Sequence, residues 1–224
     1  MTEKTWWRAL GCNFCARSGV WTSEIGGRRR KRLEKQTRKR KDEPVIAEER
    51  AILERLDELV RLAGAQAAIR TVVGRVRAEL ARKPEAVMTW EPMPLAVYGN
   101  RLPPGIQSSW VFILRAGINT GPERHPNSHQ RMMSLEGAGD MQVRADSKSP
   151  WQSHILKNDP DGGLETRWIS IPQNVWHQPV VAKEADWVVV SFHTVLAEEL
   201  IEERPDPTGI SAAKRTTYLG KDGE

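Results

Sequence analysis

The second half of the chain is a series of short strand-like runs separated by turn residues, and this pattern constrains the fold most. The run 108–117 (SSWVFILRAG) has Trp110, Phe112 and Leu114 on one face and Val111 and Ile113 on the other. A strand that is apolar on both faces is typical of a barrel or sandwich with another layer packed outside it. Similar runs follow near 131–136, 139–145, 153–156, 167–171, 178–182 and 186–195. Their regular spacing predicts a mainly β domain over 108–200.

A helical pattern precedes the strands, over 44–83. Pro44 suits a first-turn position, and apolar residues then recur at helical spacing. These residues form two stripes, Ile52, Leu56, Leu59 and Ala63, then Ile69, Val73, Val76 and Leu80. The stripes do not share a register, and Gly64 lies between them, which predicts two helices or one helix with a slip. Such a stripe is a packing surface, for docking on the barrel or for pairing with a second copy in a homodimer.

The segments outside these two regions are polar or rich in proline. Residues 84–107 contain five prolines and are interpreted as a linker or a lead-in strand. Residues 201–224 are interpreted as a polar tail that follows a short acidic helix.

The basic charge of the protein is concentrated in one arm, Arg28–Lys41 (RRRKRLEKQTRKRK). This arm has ten basic residues and one acid, a charge of +9, so the rest of a chain with net charge +5 sums to −4. Like charges at this density repel, which predicts a disordered arm over 1–43. The arm is either simply solvated or binds nucleic-acid phosphates without sequence specificity. No aromatic residue is interleaved to stack on bases, and no helix-turn-helix is legible.

Cys12 and Cys15 form the only cysteine pair of the chain. A structural zinc site needs four ligands and a redox CxxC needs a following helix in a βαβ context, and neither is evident here. The pair is either incidental or functional. No apolar run approaches the roughly 20 residues of a membrane helix, and the N-terminus lacks a signal-peptide core, so we expect a cytoplasmic protein without membrane contact.

The stretch Gly121–Gly137 (GPERHPNSHQRMMSLEG) bears the residues with metal-binding chemistry. Glu123 and His125 are two apart on a strand and so point to the same side. The turn residues 126–128 reverse the chain, and His129 and Gln130 begin the returning strand. Since adjacent strand residues face opposite ways, only one of these two can share the side of Glu123 and His125.

A further histidine, His177, lies in the later segment IPQNVWHQPVV. If the two segments fold against each other inside a barrel, they enclose one cation. Neutral imidazoles with carboxylate or amide oxygens suit Fe, Mn, Ni, Zn or Co rather than an ion that prefers thiolates. Such a site with open positions can hold a substrate or dioxygen.

The two segments resemble the two signature motifs of the cupin superfamily. The first family motif is Gly, five residues, His-x-His, three or four residues, Glu, six residues, Gly. Gly117, Glu123, His125, Gln130 and Gly137 keep that spacing. The second motif is Gly, five residues, Pro-x-Gly, two residues, His, three residues, Asn. Pro172, Asn174 and His177 hold its Pro, Gly and His places.

The resemblance covers residues 95–200 and implies a double-stranded β-helix barrel with Glu123, His125, Gln130 and His177 as metal ligands. Two ligands depart from the pattern, because Glu123 stands for the first histidine and Gln130 for the glutamate. The leading glycine and final asparagine of the second motif are replaced by Thr166 and Val181. The carboxylate that the motif has at position 130 is thus found at position 123, so the set keeps one carboxylate and two imidazoles, which favours a retained divalent metal ion.

Several alternatives stay open at this stage. His129 is either a solvent-facing strand residue or the ligand in place of Gln130. His193 is interpreted as a hydrogen-bonded core residue. His154 is interpreted as exposed. Trp168 and Trp176 are expected to shape the pocket or pack the sheet. The arginines that could meet an acidic substrate are Arg115, Arg124, Arg131 and Arg167.

Three functions are compatible with these observations. The first is a metal-dependent enzyme, for example a dioxygenase acting on a small organic molecule; isomerase and lyase chemistry stays open. The second is a non-catalytic sensor that binds a small ligand. The third is association with nucleic acid through Arg28–Lys41.

Overall fold

In the computed structural model the described residues are 47–146, 149–206 and 213–219, and they form a helical layer on a mainly β domain. The predictions for the arm 1–43 and for Cys12 and Cys15 lie outside these residues. In the described part of the chain no helix combines the length and the hydropathy needed to cross a bilayer.

Two helices make up the helical layer, α1 over 47–60 and α2 over Ala63–Arg82. The break falls at Leu62, which has extended backbone angles, so the alternative of two helices holds. The buried face of α2 includes Ile69, Val73 and Val76. The apolar stripes of both helices belong to one core cluster with the outer face of the sheet. The helical stripe therefore docks on the barrel.

Within the described residues the β domain has ten strands and one short helix. In chain order they are β1 (Met88–Met93), β2 (Ser108–Leu114), β3 (Gln130–Glu136), β4 (Ala138–Arg144), β5 (Ile155–Lys157), α3 (Leu164–Arg167), β6 (Trp168–Ile171), β7 (Trp176–Val181), β8 (Trp187–His193), β9 (Ile201–Arg204) and β10 (Lys214–Thr217). Two 3₁₀ segments, Leu95–Arg101 and Ala197–Glu199, lie between strands. The prediction of a mainly β domain with an N-terminal helical segment is confirmed.

One wall of the barrel is a five-stranded antiparallel sheet in the order β1-β2-β8-β3-β6. The opposite wall contains a three-stranded sheet in the order β5-β4-β7. Two isolated β-bridges extend this sheet. Glu123 pairs with His177 of β7, and Arg124 pairs with Glu203 of β9, which in turn pairs with β10. Beyond β2 the chain crosses between the two walls repeatedly, so each wall receives strands from distant parts of the sequence.

The central strands of the five-stranded sheet are buried on both faces, as the pattern of 108–117 predicts. All seven residues of β2 are buried. Val111 and Ile113 pack under the helices, whereas Trp110, Phe112 and Leu114 fill the barrel interior. The helical layer is what makes an apolar outer face stable in water.

Sharp corners carry the chain from one wall to the other, and the corner between β3 and β4 is at Gly137. Its φ is +74°, and a Cβ built there would lie 2.4 Å from the backbone oxygen of Asp186. Only glycine tolerates both conditions. Asn174, in the glycine place of the second motif, likewise has a positive φ of 63°, which asparagine accepts better than most residues.

The segments at the two edges of the β domain compare differently with the sequence interpretation. The proline-rich segment 84–107, interpreted as a linker or a lead-in strand, includes the strand β1 at the edge of the sheet, where proline is tolerated. Residues 201–224 include β9 and β10 rather than a plain polar tail. Glu202 and Glu203 can be buried in β9 because arginine side chains donate hydrogen bonds to their carboxylates. The composition of the segment does not reveal these pairings.

Candidate metal centre

Three potential ligands meet inside the barrel: Glu123, His125 and His177. Glu123 and His177 lie directly opposite each other, with both backbone N–H···O bonds at 2.8 Å. This pairing puts their side chains on the same face of the wall, and His125 follows two residues later on that face. All three side chains are buried, and one ligand atom from each lies within 4.8 Å of the others.

The intervening residue points away from the centre, as strand alternation requires. Arg124 donates to Glu203 at 2.8 Å, and its guanidinium lies 4.7 Å from the ring centroid of Trp176, the neighbour of His177. Arg124 and Trp176 therefore stabilise the outside of the wall.

Each of the two histidines has its Nδ1 atom beside a backbone carbonyl oxygen. Nδ1 of His125 lies 3.0 Å from the carbonyl oxygen of Ile201, and Nδ1 of His177 lies 3.1 Å from that of Val175. A carbonyl only accepts, so both Nδ1 atoms carry the proton, and Nε2 is the nitrogen that presents a lone pair when the ring is neutral. Metal-binding histidines show this arrangement, in which a backbone carbonyl fixes the tautomer.

The open nitrogen of His177 is a buried polar atom that no protein group satisfies. Nε2 has no hydrogen-bond partner; the nearest acceptor, Oε1 of Glu123, lies at 3.5 Å. That spacing is too long for a strong hydrogen bond, but it suits two ligands of one cation with bonds of about 2.0–2.2 Å. The chemistry of the donor set therefore fits a divalent metal ion.

The electrostatics keep the donors in the protonation states that a metal needs. Burial lowers the pKa of His125 to about 4, with a contribution from neighbouring His177, so its imidazole is neutral at pH 7. Burial alone would raise the pKa of Glu123, but the electrostatic influence of neighbouring His177 and the positive charge of Arg204 outweigh it and lower that pKa. The site thus offers the neutral imidazole of His125 and an ionised carboxylate beside the imidazole of His177.

Arg204 supports the carboxylate from the outside. Its guanidinium donates to Oε2 of Glu123, to Glu202 at 2.5 Å and to the backbone oxygen of Thr120 at 2.6 Å. This leaves Oε1 of Glu123 facing His177. Arg204 was not singled out from the sequence, because nothing in the polar segment 201–224 marks it as contacting Glu123.

Gln130, the fourth expected ligand, lies at the same end of the interior. It is buried, its Oε1 has no hydrogen-bond partner, and it lines a cavity of about 30 Å³ together with Glu123 and Tyr218. The other walls of this cavity are apolar, from Met, Phe, Leu, Trp, Val and Pro side chains. A buried carbonyl oxygen without a partner, in a residue that lines this cavity, is available to a cation or to a water bound to one.

His129, the alternative to Gln130 as ligand, is placed elsewhere. Its Nε2 lies 2.6 Å from the hydroxyl of Ser170, which itself donates to Glu49 of α1 at 2.6 Å. Because His129 precedes Gln130 along the strand, the two side chains face opposite ways, and Gln130 takes the interior side. His129 is part of the contact between the sheet and α1.

The remaining histidines match their predictions. His193 is fully buried, with its ring nitrogens 3.2 Å from the hydroxyls of Ser128 and Ser191, so it is a hydrogen-bonded core residue. Its ring centroid nevertheless lies 5.2 Å from that of His125, which places it directly behind the candidate ligands. His154 is exposed.

The arginines considered for an acidic substrate bind protein groups instead. Arg131 makes two 2.7 Å bonds to Glu49, and Arg167 binds Asp57 at 2.5 and 3.0 Å. Arg115 donates to the backbone oxygens at the end of α2, namely those of Leu80, Lys83 and Ala86. These side chains therefore stabilise the packing of the helices on the barrel.

A larger groove of about 840 Å³ lies outside the barrel, between the end of α2 and β1. Its charged groups pair with one another, Arg75 with Glu91 and Lys83 with Glu79. The candidate centre is therefore assigned from its unsatisfied polar atoms rather than from cavity size.

Comparison with known proteins gives likeness of fold only. No protein-family model matches the chain, and no curated protein matches it. Among solved structures it is similar to oxalate oxidase in complex with glycolate, at 14% identity and a TM-score of 0.38, over 49% of this chain and 52% of that chain. It is similar to the coconut allergen cocosin, at 16% identity and a TM-score of 0.38, over 51% and 27% of the two chains. It is also similar to the capsular polysaccharide assembling protein CapF from Staphylococcus aureus, at 15% identity and a TM-score of 0.36, over 49% and 26%.

The chain thus spans about half of the oxalate oxidase chain and about a quarter of the other two. The barrel of two antiparallel walls in the described residues rests on its own strand pairing. At these identities and TM-scores, no activity, substrate or partner of those proteins is transferred to this chain.

Proposed function

We propose that this protein is a metal-dependent oxygenase that acts on a small organic molecule. The observation that carries the proposal is the set of Glu123, His125 and His177 around one point, with the Nε2 atom of His177 buried and unsatisfied. Two histidines and one carboxylate are the ligand set of non-haem iron oxygenases, which leave coordination positions open. Divalent iron is therefore the first candidate, and Mn, Ni and Zn are the alternatives.

The protein contributes position, charge and exclusion of water. The backbone carbonyls of Ile201 and Val175 fix the two imidazoles, and Arg204 fixes the carboxylate. Gln130 offers a carbonyl oxygen that can orient a group beside the cation. Bound iron would supply the redox chemistry with dioxygen, while the apolar walls keep the interior dry.

The test starts with elemental analysis of protein purified without chelator. We expect close to one equivalent of a divalent transition metal in the wild type and little in His125→Ala. His154→Ala is the matched control, because His154 is an exposed histidine of the same domain. Substoichiometric metal in the wild type, unchanged by His125→Ala, would remove the basis of the proposal.

The second stage separates an enzyme from a binding module. Protein loaded anaerobically with Fe(II) is mixed with oxygenated buffer and a panel of small carboxylic acids and phenols, and oxygen uptake is recorded. An oxygenase consumes oxygen only with its substrate and loses that activity in His125→Ala. Stoichiometric metal with no substrate-dependent uptake across the panel would favour the alternative, a non-catalytic sensor.

A second activity is favoured by the charge distribution. The arm Arg28–Lys41 has a charge of +9, whereas the rest of the chain sums to −4, so affinity for polyanions would reside in the arm. We propose non-specific binding of nucleic acid through phosphate contacts. Deleting 28–41 should weaken binding to a random DNA duplex and flatten its salt dependence; an unchanged salt slope would contradict this role.

A further inference from the structure

Tyr218, which follows β10, closes the barrel beside the candidate metal centre. Its ring centroid lies 5.4 Å from that of Trp90, 5.7 Å from Trp110 and 5.8 Å from Phe112. The same ring lies 6.0 Å from the imidazole of His125. Tyr218 therefore spans the space between the edge strands of the five-stranded sheet and a candidate ligand on the opposite wall.

The hydroxyl of Tyr218 lies near the polar support of the centre. Burial, with the nearby charges of Glu123 and Glu202, raises the pKa of the Tyr218 phenol; Glu202 also accepts from Nε of Arg204, and Arg204 donates to Glu123. The ring thus lies between aromatic packing on one side and a chain of three polar groups on the other.

The rest of β10 is held weakly. All four of its side chains are exposed, and its ion pair from Arg215 to Glu203 involves an arginine that is 62% exposed. Exposed ion pairs contribute little to stability. Apart from the backbone ladder with β9, the ring of Tyr218 is the main buried contact of the described segment 213–219.

The interior space that Tyr218 closes is very small. The cavity that it lines with Glu123 and Gln130 measures about 30 Å³, whereas sites for drug-sized ligands measure about 300–1,000 Å³. A water molecule needs roughly 10–15 Å³ of such space, so this part of the interior holds one or two ligands of water size while the ring is in place. Removing the phenol ring would join this cavity to the volume that the ring now fills.

We propose that Tyr218 is the specificity-determining residue of the candidate centre, and that only ligands of two or three non-hydrogen atoms, such as dioxygen, bind while its ring is in place. Larger ligands, including the organic substrate of the proposed oxygenase, bind only if the ring leaves its aromatic neighbours. This inference rests on the proposed metal site, and it adds the class of ligand, small oxygen- or nitrogen-donor anions and diatomic molecules, and the residue that sets it.

The test uses the full chain loaded with Co(II), whose visible absorption reports ligand binding at the metal. The small probe is azide and the large probe is benzohydroxamate, a chelator that carries a phenyl ring. In the wild type we expect azide to bind and benzohydroxamate to bind poorly. In Tyr218→Ala, benzohydroxamate affinity should rise about ten- to hundredfold, because the aromatic contacts no longer have to be broken, while azide affinity changes by less than about threefold.

Two controls isolate the ring. Tyr218→Phe keeps the ring and should retain the wild-type preference for azide. Thr216→Ala changes an exposed side chain on β10 and should behave as the wild type, which tests whether any disturbance of the strand has the same effect. Circular dichroism and a Co(II) titration of each variant show that the fold and the metal site are kept.

The outcomes separate this inference from the proposed function. If the wild type binds no Co(II), the metal site itself is wrong. If Co(II) binds normally but Tyr218→Ala and the wild type share the same ratio of benzohydroxamate to azide affinity, the metal site stands and the role of Tyr218 is refuted. An equal rise in Thr216→Ala would also overturn it, by assigning the effect to β10 rather than to the ring.

Discussion

The two faces of the barrel wall use the same residue types and leave them in opposite states. On the outer face, Glu49 and Asp57 of α1 bind arginines of the β domain, and His129 contacts Ser170. On the inner face, Nε2 of His177 and Oε1 of Gln130 are buried with no partner. Histidines, carboxylates and arginines occur in both places, so residue type alone does not distinguish them.

The satisfaction of the acceptor atoms, which are the atoms that could bind a cation, does distinguish them, although Nε of Arg167 in the outer network is also buried without a partner. Asp57 accepts two bonds from Arg167, one from Trp168 and one from Arg61, so it has no capacity left for a ligand. A saturated network holds elements together, whereas an unsatisfied buried donor set costs stability unless something binds it. The outer networks are therefore assigned to the docking of α1 and the inner set to a ligand.

The largest effect is expected on the outer face, from Asp57→Ala. The substitution leaves the guanidinium of Arg167, which is 9% exposed, without its partner. Breaking a buried pair on one side costs about 3–5 kcal/mol of unfolding free energy. Urea denaturation of the metal-free protein measures the loss.

Glu58→Ala is the matched control for this prediction. Glu58 neighbours Asp57 on α1, but its side chain is 66% exposed, so the change in unfolding free energy should stay within about 0.5 kcal/mol. Equal losses in the two variants would show that the outer network does not dock the helix.

The next effect tests the inner face, through stabilisation by metal. At a free metal concentration of 100 times Kd, binding should add about 2.7 kcal/mol to the wild-type unfolding free energy. His177→Ala should lose this increment, because it removes an open Nε2 donor. His129→Ala should keep it, since that imidazole contacts Ser170 outside the barrel. A metal increment that is lost in His129→Ala and kept in His177→Ala would reverse the assignment of the two faces.

A pH effect of intermediate size follows from the buried imidazoles in the presence of EDTA. The pKa of His125 is about 4 in the folded protein against 6.5 for an exposed histidine, and burial also lowers that of His193. Between these values the unfolded chain binds protons that the folded chain does not, so stability falls as pH falls. For His125 alone the loss from pH 6.5 to pH 5 is about 1.5 kcal/mol.

Urea denaturation at pH 7.5, 6.5 and 5 checks this sign. His125→Asn should show a shallower decline than the wild type by about one proton, whereas His154→Ala should keep the wild-type slope because His154 is exposed. Stability that rises toward pH 5 in EDTA would contradict the burial of neutral imidazoles.

The sequence predicts the centre well where the signal is local. Strand alternation places Glu123 and His125 on one side, and the buried pattern of 108–117 implies the outer helical layer. Gly137 and Asn174 occupy glycine places of the two motifs, and both have a positive φ. Each of these inferences needs only near neighbours in the chain or a conformational preference of one residue.

The sequence fails where the partner is distant and the residue type is ambiguous. Arg131 is equally suited to a substrate carboxylate and to Glu49, which lies 82 residues away in the chain. Arg204 and Tyr218 reach the centre only because β9 and β10 extend the wall, and the polar composition of 201–224 gives no sign of those strands. Long-range pairing is a property of the folded topology, which local periodicity does not encode.

The smallest expected effect concerns Gln130, where the inner face is least defined. In the metal-free protein, Gln130→Leu should change the unfolding free energy by less than about 1 kcal/mol, because it removes a buried carbonyl oxygen that has no partner. Metal affinity, measured by competition with a chelator, should fall by about tenfold, the effect of losing a group that orients the bound cation or its water. A loss as large as that of His177→Ala would make Gln130 a full ligand, as the motif spacing implies. No loss at all would mean that Glu123 and the two histidines bind the cation without any contribution from Gln130.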